Sequence, residues 1–443
     1  MKKFLPIVLG TNINSYQLAR SIYEEYGVNP VICDHEIKTP FVNSIYNNLF
    51  IEKDIKVNNT AFIDILNKIY SYNKESFDKF IVFAPHESYL NILCKNKDKL
   101  DFEIVTPYKQ LGDDFTNKDN FYELLDKLNY KYPKSIKISD KNFDLNEFHD
   151  DLFIRPMDMS KYIKINFEGK ENSYRVDSKD KAIEIINKII DNSYDGQILV
   201  QEYIAGKDGN QFSINGYRSS NLKIYMVQSR SILTDDLGNP MVQIDSDIPE
   251  LYNISKNIIE DINYTGYFNI DFKISDYDGN IYITAINTRL GNTFYYSNLA
   301  GINLIKLAID DLILNDKIED NFTKKRFGIN LFKDELTNHF ITSGLFLEYK
   351  DNERAKNTIN LLYDDKDLEH ERYNIINSYV EDELNKRIKT TSLAGSLHSA
   401  YKARIPARPY WGSDYSITCT TIPTTAKAVF YLFLFTDSPV NGS

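Results

Sequence analysis

The amino-acid sequence predicts an α+β fold preceded by an α/β N-terminal domain. Three observations lead there. Strand and helix patterns alternate through residues 1–111, strands crowd residues 152–303 with few helices between, and residues 268–291 spell a polar β-hairpin. The chain has 443 residues, enough for two or three domains with real cores. Hydrophobic residues make up 42% and aromatics 13%, which excludes wholesale disorder.

Taken in order, residues 4–9 are an apolar run ended by Gly10. Polar Thr11-Asn12-Ile13-Asn14 interrupts the run before any small-x-small cleavage site, so it reads as a strand and not as a secretory leader. A helical pattern over 16–26 stops at Gly27, and 29–33 reads as the next strand. A helix over 62–70 and a strand over 79–84 repeat the unit more loosely. The Gly10 turn lacks a GxGxxG pattern, so no dinucleotide site is indicated. A turn-rich stretch at 112–114 closes the domain, and a helix over 117–128 follows. Strands are expected at 152–155, 163–167, 198–203, 212–217, 222–228, 268–274 and 280–287, with helices at 180–191 and 249–262. Residues 320–389 are charged and mixed, consistent with an accessory lobe carrying a helix near 372–389. The expected divisions are 1–111, 112–195, 196–319, 320–389 and 390–443.

Composition changes abruptly at the last division. Residues 391–443 hold one Asn, two acidic residues, four basic ones, four prolines and the only tryptophan, Trp411. The run 427–435, KAVFYLFLF, is apolar and β-prone. A natural extra hairpin and a fused or frameshifted tail both fit, and the segment is assigned no function.

Charge and cysteines narrow the class. Lys and Arg total 52 against 63 Asp and Glu, a formal charge of −11. This balance argues against nucleic acid as a partner, since counterion release needs clustered cations. Cys33, Cys94 and Cys419 lie far apart without a CxxC pair, which suits a reducing cytoplasm better than a disulfide framework or a zinc site. The longest apolar run falls far short of the roughly 20 residues a membrane-spanning helix needs.

Chemistry concentrates in a few segments. In FNIDFKISDYDGNIYITAINTRLG (268–291), a three-residue connection Tyr277-Asp278-Gly279 would pair Asp276 with Asn280 and set Asp271 opposite Ala285. Asn287 then shares a face with Asp271, and Arg289 lies just beyond. Carboxylate and amide oxygens on one face suit Mg²⁺, although a solvated polar sheet face fits the same residues. Gln201-Glu202-Tyr203-Ile204-Ala205-Gly206 ends an apolar strand, whose last backbone groups could meet an adenine edge while Glu202 or Asp208 accepts from ribose; a plain turn is the alternative. Arg155-Pro156 ends a strand and offers a cation to phosphate or to a surface acid. His86, in APHES, reads as a hydrogen-bonded loop residue, and Ser88 lacks the GxSxG elbow of a hydrolase.

Together these motifs resemble the ATP-grasp superfamily. The order is cation–Pro after a strand, Gln-Glu-Tyr-Ile-x-Gly, Gly-x-Phe-x-x-Asp-Phe, then x-x-Asn-x-Arg. The match is closest to carboxylate–amine ligases similar to D-aspartate ligase, whose opening LGTNINSYQLARSIYEEYG and whose NTRLGNTFYYSNLAGINL segment are similar. The resemblance covers about residues 5–310 and implies an ATP-grasp fold behind a Rossmann-like N-terminal domain. It also implies an ADP-forming ligase that uses ATP and Mg²⁺ to join a small-molecule carboxylate, such as an amino acid, to an amine, plausibly that of a peptide or cell-wall precursor. A homodimer is one assembly it allows. By position, Arg155 stands where the phosphate-binding Lys normally sits. Gln201, Glu202, Tyr203 and Ile204 would form the adenine hinge, with Asp208 beside it. Asp271 and Asn287 would hold Mg²⁺, and Arg289 would contact the acyl phosphate. Asn12, Asn14 and Tyr16 lie on the loop that lines the substrate side.

Two departures stand out. The family pattern Glu-x-Asn-x-Arg reads Ala285-Ile286-Asn287-Thr288-Arg289 here, so the carboxylate that bridges the metals is a methyl group. The phosphate Lys is Arg155, which keeps charge but changes shape and reach. A catalytically impaired protein that binds nucleotide or a partner is therefore the rival expectation.

Overall fold

The computed structural model describes residues 4–46, 48–109, 118–162, 164–171, 173–206, 208–235, 238–315 and 322–387. The expected turn at 112–114 and the tail 391–443 lie outside the described residues.

The N-terminal unit is a parallel sheet in the order β3-β2-β1-β4, built from β1 (Phe4–Leu9), β2 (Val31–Asp34), β3 (Leu49–Ile51) and β4 (Lys79–Phe83). Ile7, Val8 and Leu9 are fully buried, as a strand covered on both faces requires. Three helices serve it, α1 (Ile13–Tyr26), α2 (Asn59–Asn73) and α3 (Glu87–Asn96). Asn12 starts α1 by accepting from the backbone N–H groups of Asn14 and Ser15. Gly27 ends it at φ +63°, a left-handed cap that favours glycine.

The second sheet is antiparallel, in the order β5-β8-β6-β7: β5 (Ser135–Ile138), β6 (Leu152–Pro156), β7 (Tyr174–Val176) and β8 (Ile198–Glu202). Alternation splits its residues. Ile138, Ile154, Ile198 and Val200 form a core with Ala182, Ile186 and Ile189 of a helix over Lys179–Asp191. Lys137, Phe153, Arg155, Arg175, Leu199 and Gln201 occupy the other face. No strand forms among the described residues of the expected 163–167 segment: Ile165 and Phe167 pack on the core from a loop, and the outer strand is the short β7. Apolar residues two apart mimicked a strand there.

The large sheet runs β13-β12-β9-β10-β11-β14-β15, with β9 (Gln211–Arg218), β10 (Ile224–Thr234), β11 (Pro240–Asp245), β12 (Gly266–Ile274), β13 (Ile281–Asn287), β14 (Gly328–Asn330) and β15 (Thr358–Asn360). One face of β9 and β12 carries Phe212, Ile214, Phe268, Ile270 and Phe272. These pack in one core with Leu251 and Ile258 of the helix Pro249–Asp261 and with Leu124 and Leu125 of the helix Lys118–Lys127. The opposite face is polar and holds Ser213, Asn215, Asn269 and Asp271. The C-terminal strands extend this sheet. Just after them, Asp367 accepts from Tyr16 Oη (2.7 Å), Ser44 Oγ (2.9 Å) and Ile45 N (2.7 Å), and pairs with fully buried Arg372 at 2.9 Å. That contact ties the C-terminal segment to the N-terminal unit. No helix among the described residues is long and apolar enough to cross a membrane.

Candidate functional site

The β12–β13 hairpin sets Asp271 directly opposite Ala285 and Asn269 opposite Asn287. The route to that register differs from expectation. Ser275 N donates to Asn280 O, so the connection is one residue longer than the Tyr277–Gly279 turn, and Ile274 pairs with Ile281. A β-bulge then opposes Phe272 to Ile283 and Asp271 to Ala285, leaving Thr284 as the extra residue. The bulge restores the phase that the longer loop shifts. Thr284 Oγ1 donates to Asp271 O at 3.1 Å across the bulge.

The polar face around Asp271 is a connected network. Asp271 Oδ1 accepts from Ser213 Oγ (2.7 Å) and Asn269 Nδ2 (3.1 Å). Asn269 Oδ1 accepts from Asn287 Nδ2 at 2.8 Å, so Asn269 bridges the two expected ligands. Asn215 Oδ1 accepts from Gly291 N at 2.6 Å and fixes the turn after Arg289. Burial pushes the Asp271 carboxyl pKa up, opposed by the Ser213 and Asn269 bonds and by the nearby Arg289 charge. Arg289 donates to Leu290 O at 3.1 Å.

This donor set fits a nucleotide-chelated cation. Asp271 Oδ2 and Asn287 Oδ1 accept no hydrogen bond from the described residues, and both are hard oxygens on one face. Mg²⁺ commonly takes one or two protein oxygens and completes its octahedron with phosphates and water. An all-protein cage does not fit, because no group of three or more His, Cys, Asp or Glu side chains gathers among the described residues.

Arg155 is exposed on β6, opposite Leu199 of β8. Lys137 of β5 faces Leu199 from the other side, so it joins Arg155 and Arg175 on this face. Sequence reading missed Lys137 because the four-residue β5 has no distinctive motif. At the end of β8, Glu202 N and Tyr203 N donate to Lys134 O (2.8 Å) and Asp151 O (2.9 Å). The expectation of unpaired hinge donors therefore moves to Ile204, whose N–H has no backbone partner among the described residues. Gln201 Nε2 donates to Tyr122 Oη (3.4 Å), and Glu202 accepts from His149 N (3.4 Å). Asp208 accepts from Thr234 Oγ1 at 3.0 Å, and burial raises its pKa.

The N-terminal loop divides in role. Asn12 is spent on capping α1. Asn14 Nδ2 donates to Asn292 Oδ1 at 3.1 Å, just beyond Arg289. Gln17, one turn on, grips the same loop through Asn292 O (2.8 Å) and Tyr295 N (3.1 Å). Tyr16 does not line this side: it is fully buried against Phe41 and Tyr46 and bonded to Asp367. The 3.6-residue period explains the split, because it turns position 16 toward the core and 14 and 17 toward the loop. His86 caps α3, with Nδ1 accepting from Ser88 N at 3.3 Å, as a loop histidine should. Burial, then the Arg289 and Lys56 charges, lower its pKa.

A polar sheet face with Asp271 and Asn287, an arginine after it, and a second sheet bearing Lys137, Arg155 and Arg175 on one face can bind a polyphosphate with its metal. Residues 196–333 match the family described as ATP-grasp in the biosynthetic pathway with Ter operon. D-aspartate ligase of Enterococcus faecium (strain Aus0004) is 25% identical over 378 residues, covering 80% of this chain and 87% of that relative. N5-carboxyaminoimidazole synthetase from Staphylococcus aureus, solved with ADP, matches at TM-score 0.55 and 15% identity over 79% of this chain and 88% of that one. L-amino acid ligase from Bacillus licheniformis matches at TM-score 0.50 and 14% identity over 71% and 75%.

Proposed function

We propose that this ATP-grasp protein, similar to D-aspartate ligase, is an ADP-forming carboxylate–amine ligase. A carboxylate oxygen of the acid substrate attacks the γ-phosphorus of ATP, the bond to the β-phosphate oxygen breaks, and ADP leaves. The amine nitrogen then attacks the acyl carbon, phosphate departs with the former C–O electron pair, and the nitrogen loses a proton as the amide forms. Such transfers depend on positioning and charge neutralisation more than on covalent catalysis.

Asp271 Oδ2 and Asn287 Oδ1 would hold Mg²⁺, which supplies charge neutralisation on the phosphates when bound. Arg155 and Lys137 would meet phosphate oxygens from the small sheet. Ile204 N–H and its neighbours would read the adenine edge. Arg289, held by the Asn14 and Gln17 grip on the loop after it, would face the acyl phosphate. The observation that carries the reading is the register setting Asp271 and Asn287 on one face with Arg289 just beyond. Cys33 and Cys94 are free thiols, which supports a reducing cytoplasm as the compartment.

The acid substrate is proposed to be an amino acid, with D-aspartate the first to test because of the relative's activity, and the amine that of a peptide or cell-wall precursor. ADP release that depends on an added amino acid is the expected result. Absence of amino acid-stimulated release across a full panel would refute the ligase. A second reading is kept alive by Ala285, which leaves Asp271 the only carboxylate in the motif: a protein that binds nucleotide without turning it over.

A further inference from the structure

Between the hinge and Asp271 lies a side chain with no part in the proposed chemistry. Lys273 sits on β12 two residues beyond Asp271 and on the same face, about 7 Å along the strand. Its Nζ lies 4.1 Å from the centroid of the Tyr203 ring. The Arg175 guanidinium also lies over that ring, 3.7 Å from the centroid. Arg175 is in turn held by Asp151 through Nε (3.2 Å) and Nη2 (3.0 Å). Asp151 O also accepts from Tyr203 N at 2.9 Å, so Arg175, Asp151 and Tyr203 are linked as one unit beside the small sheet.

Lys273 is the large-sheet partner of that unit. Among the described residues it makes no salt bridge, although Asp208 is close enough to feel its charge. A side chain at position 206 would meet Lys273 Cε at 3.0 Å, so Gly206 leaves the lysine stem its path to the ring. A cation over an aromatic face is attracted by the ring quadrupole, and a desolvated pair gains more than an exposed one.

We propose that Lys273 is a nucleotide-positioning residue. By clamping Tyr203 against β12 it fixes the distance between the hinge, which takes the base, and Asp271, which takes the metal and phosphates. One nucleotide must satisfy both ends at once, so a loose hinge lowers affinity without touching the ligand. The proposal rests on the nucleotide reading of the site and adds a part to it.

The test is ATP and ADP binding by calorimetry with Mg²⁺ present, on the full chain and on Lys273→Met, Lys273→Arg, Tyr203→Leu and the Lys273→Met/Tyr203→Leu double variant, with ligand-free melting curves alongside. Methionine keeps the stem and removes the cation. It should weaken both nucleotides about three- to tenfold. Arginine keeps a cation for the ring and should bind within about twofold of the parent. The double variant should be no weaker than the worse single one, because both act through one contact. Unchanged affinity in Lys273→Met would overturn the proposal. Equal loss in Lys273→Arg and Lys273→Met, with both melting lower, would also overturn it by making the residue structural. Absence of ATP binding by the parent chain would instead overturn the nucleotide reading itself.

Discussion

Ala285→Glu restores the carboxylate that the motif lacks, and its effect can be worked from the register. Position 285 is directly opposite Asp271 in the antiparallel pair, so their Cβ atoms are about 4.5–5.5 Å apart. A glutamate there can place an oxygen within the roughly 2.1 Å that Mg²⁺ requires. Two carboxylates about 4 Å apart repel by about 4 kcal/mol at an effective dielectric of 20. The attraction of the new carboxylate to a doubly charged ion at half that distance is about four times larger. With metal bound the balance is favourable, and only about 1.4 kcal/mol of it needs to reach the transition state for a tenfold gain. The assay is amino acid-dependent ADP release across a Mg²⁺ titration. Turnover should rise tenfold or more, with half-saturation at lower Mg²⁺. A fall in turnover would mean that another acid already fills the position and the added charge only raises a carboxylate pKa. No change in turnover or Mg²⁺ dependence would sink the metal assignment and the use of this face.

Three further outcomes are expected. Asp271→Asn should abolish turnover and weaken Mg²⁺–ATP binding, yet raise the melting temperature of the ligand-free protein at pH 7. Burial raises the Asp271 pKa, so its ionisation costs folding stability above that value; below the unfolded carboxylate pKa of about 3.9 both states are protonated and the gain should vanish. Arg289→Gln should lower turnover far more than ATP affinity, read by single-turnover kinetics beside calorimetry, because its proposed partner forms only during reaction. Asp367→Ala should cost about 3–5 kcal/mol in chemical denaturation, since it strands the buried Arg372 charge and removes the acceptor of Tyr16 and Ser44; a loss under 1 kcal/mol would refute the role of that pair.

Much of the candidate site is legible in the amino-acid sequence, because local signals carry it. Gly279 at φ +69° closes the hairpin, Gly27 caps α1, and alternation puts Asp271 and Asn287 on one face. Such features depend on backbone geometry over a few residues, which the residue types themselves specify. The register of Asp271 against Ala285 follows from the sequence only through a turn one residue too short, and the bulge at Thr284 makes up the difference. A bulge leaves no compositional mark, because any residue can be the extra one.

What tertiary structure decided is of another kind. Tyr16 sits in a motif that pointed toward substrate, but a carboxylate 351 positions away claims its hydroxyl. Lys137 and Arg155 become neighbours of Leu199 only when three short strands pair. Lys273 and Arg175 come to the one Tyr203 ring from two different sheets. The short strands β14 and β15 join the large sheet, although three residues are too few to show any periodicity. By itself the sequence determined the longer strands, the Gly27 stop of α1 and the residue types of the candidate-site hairpin, because these follow from local sterics and alternation. Which side chains face each other across sheets is set by packing between segments far apart in the chain, and only the folded structure decides it.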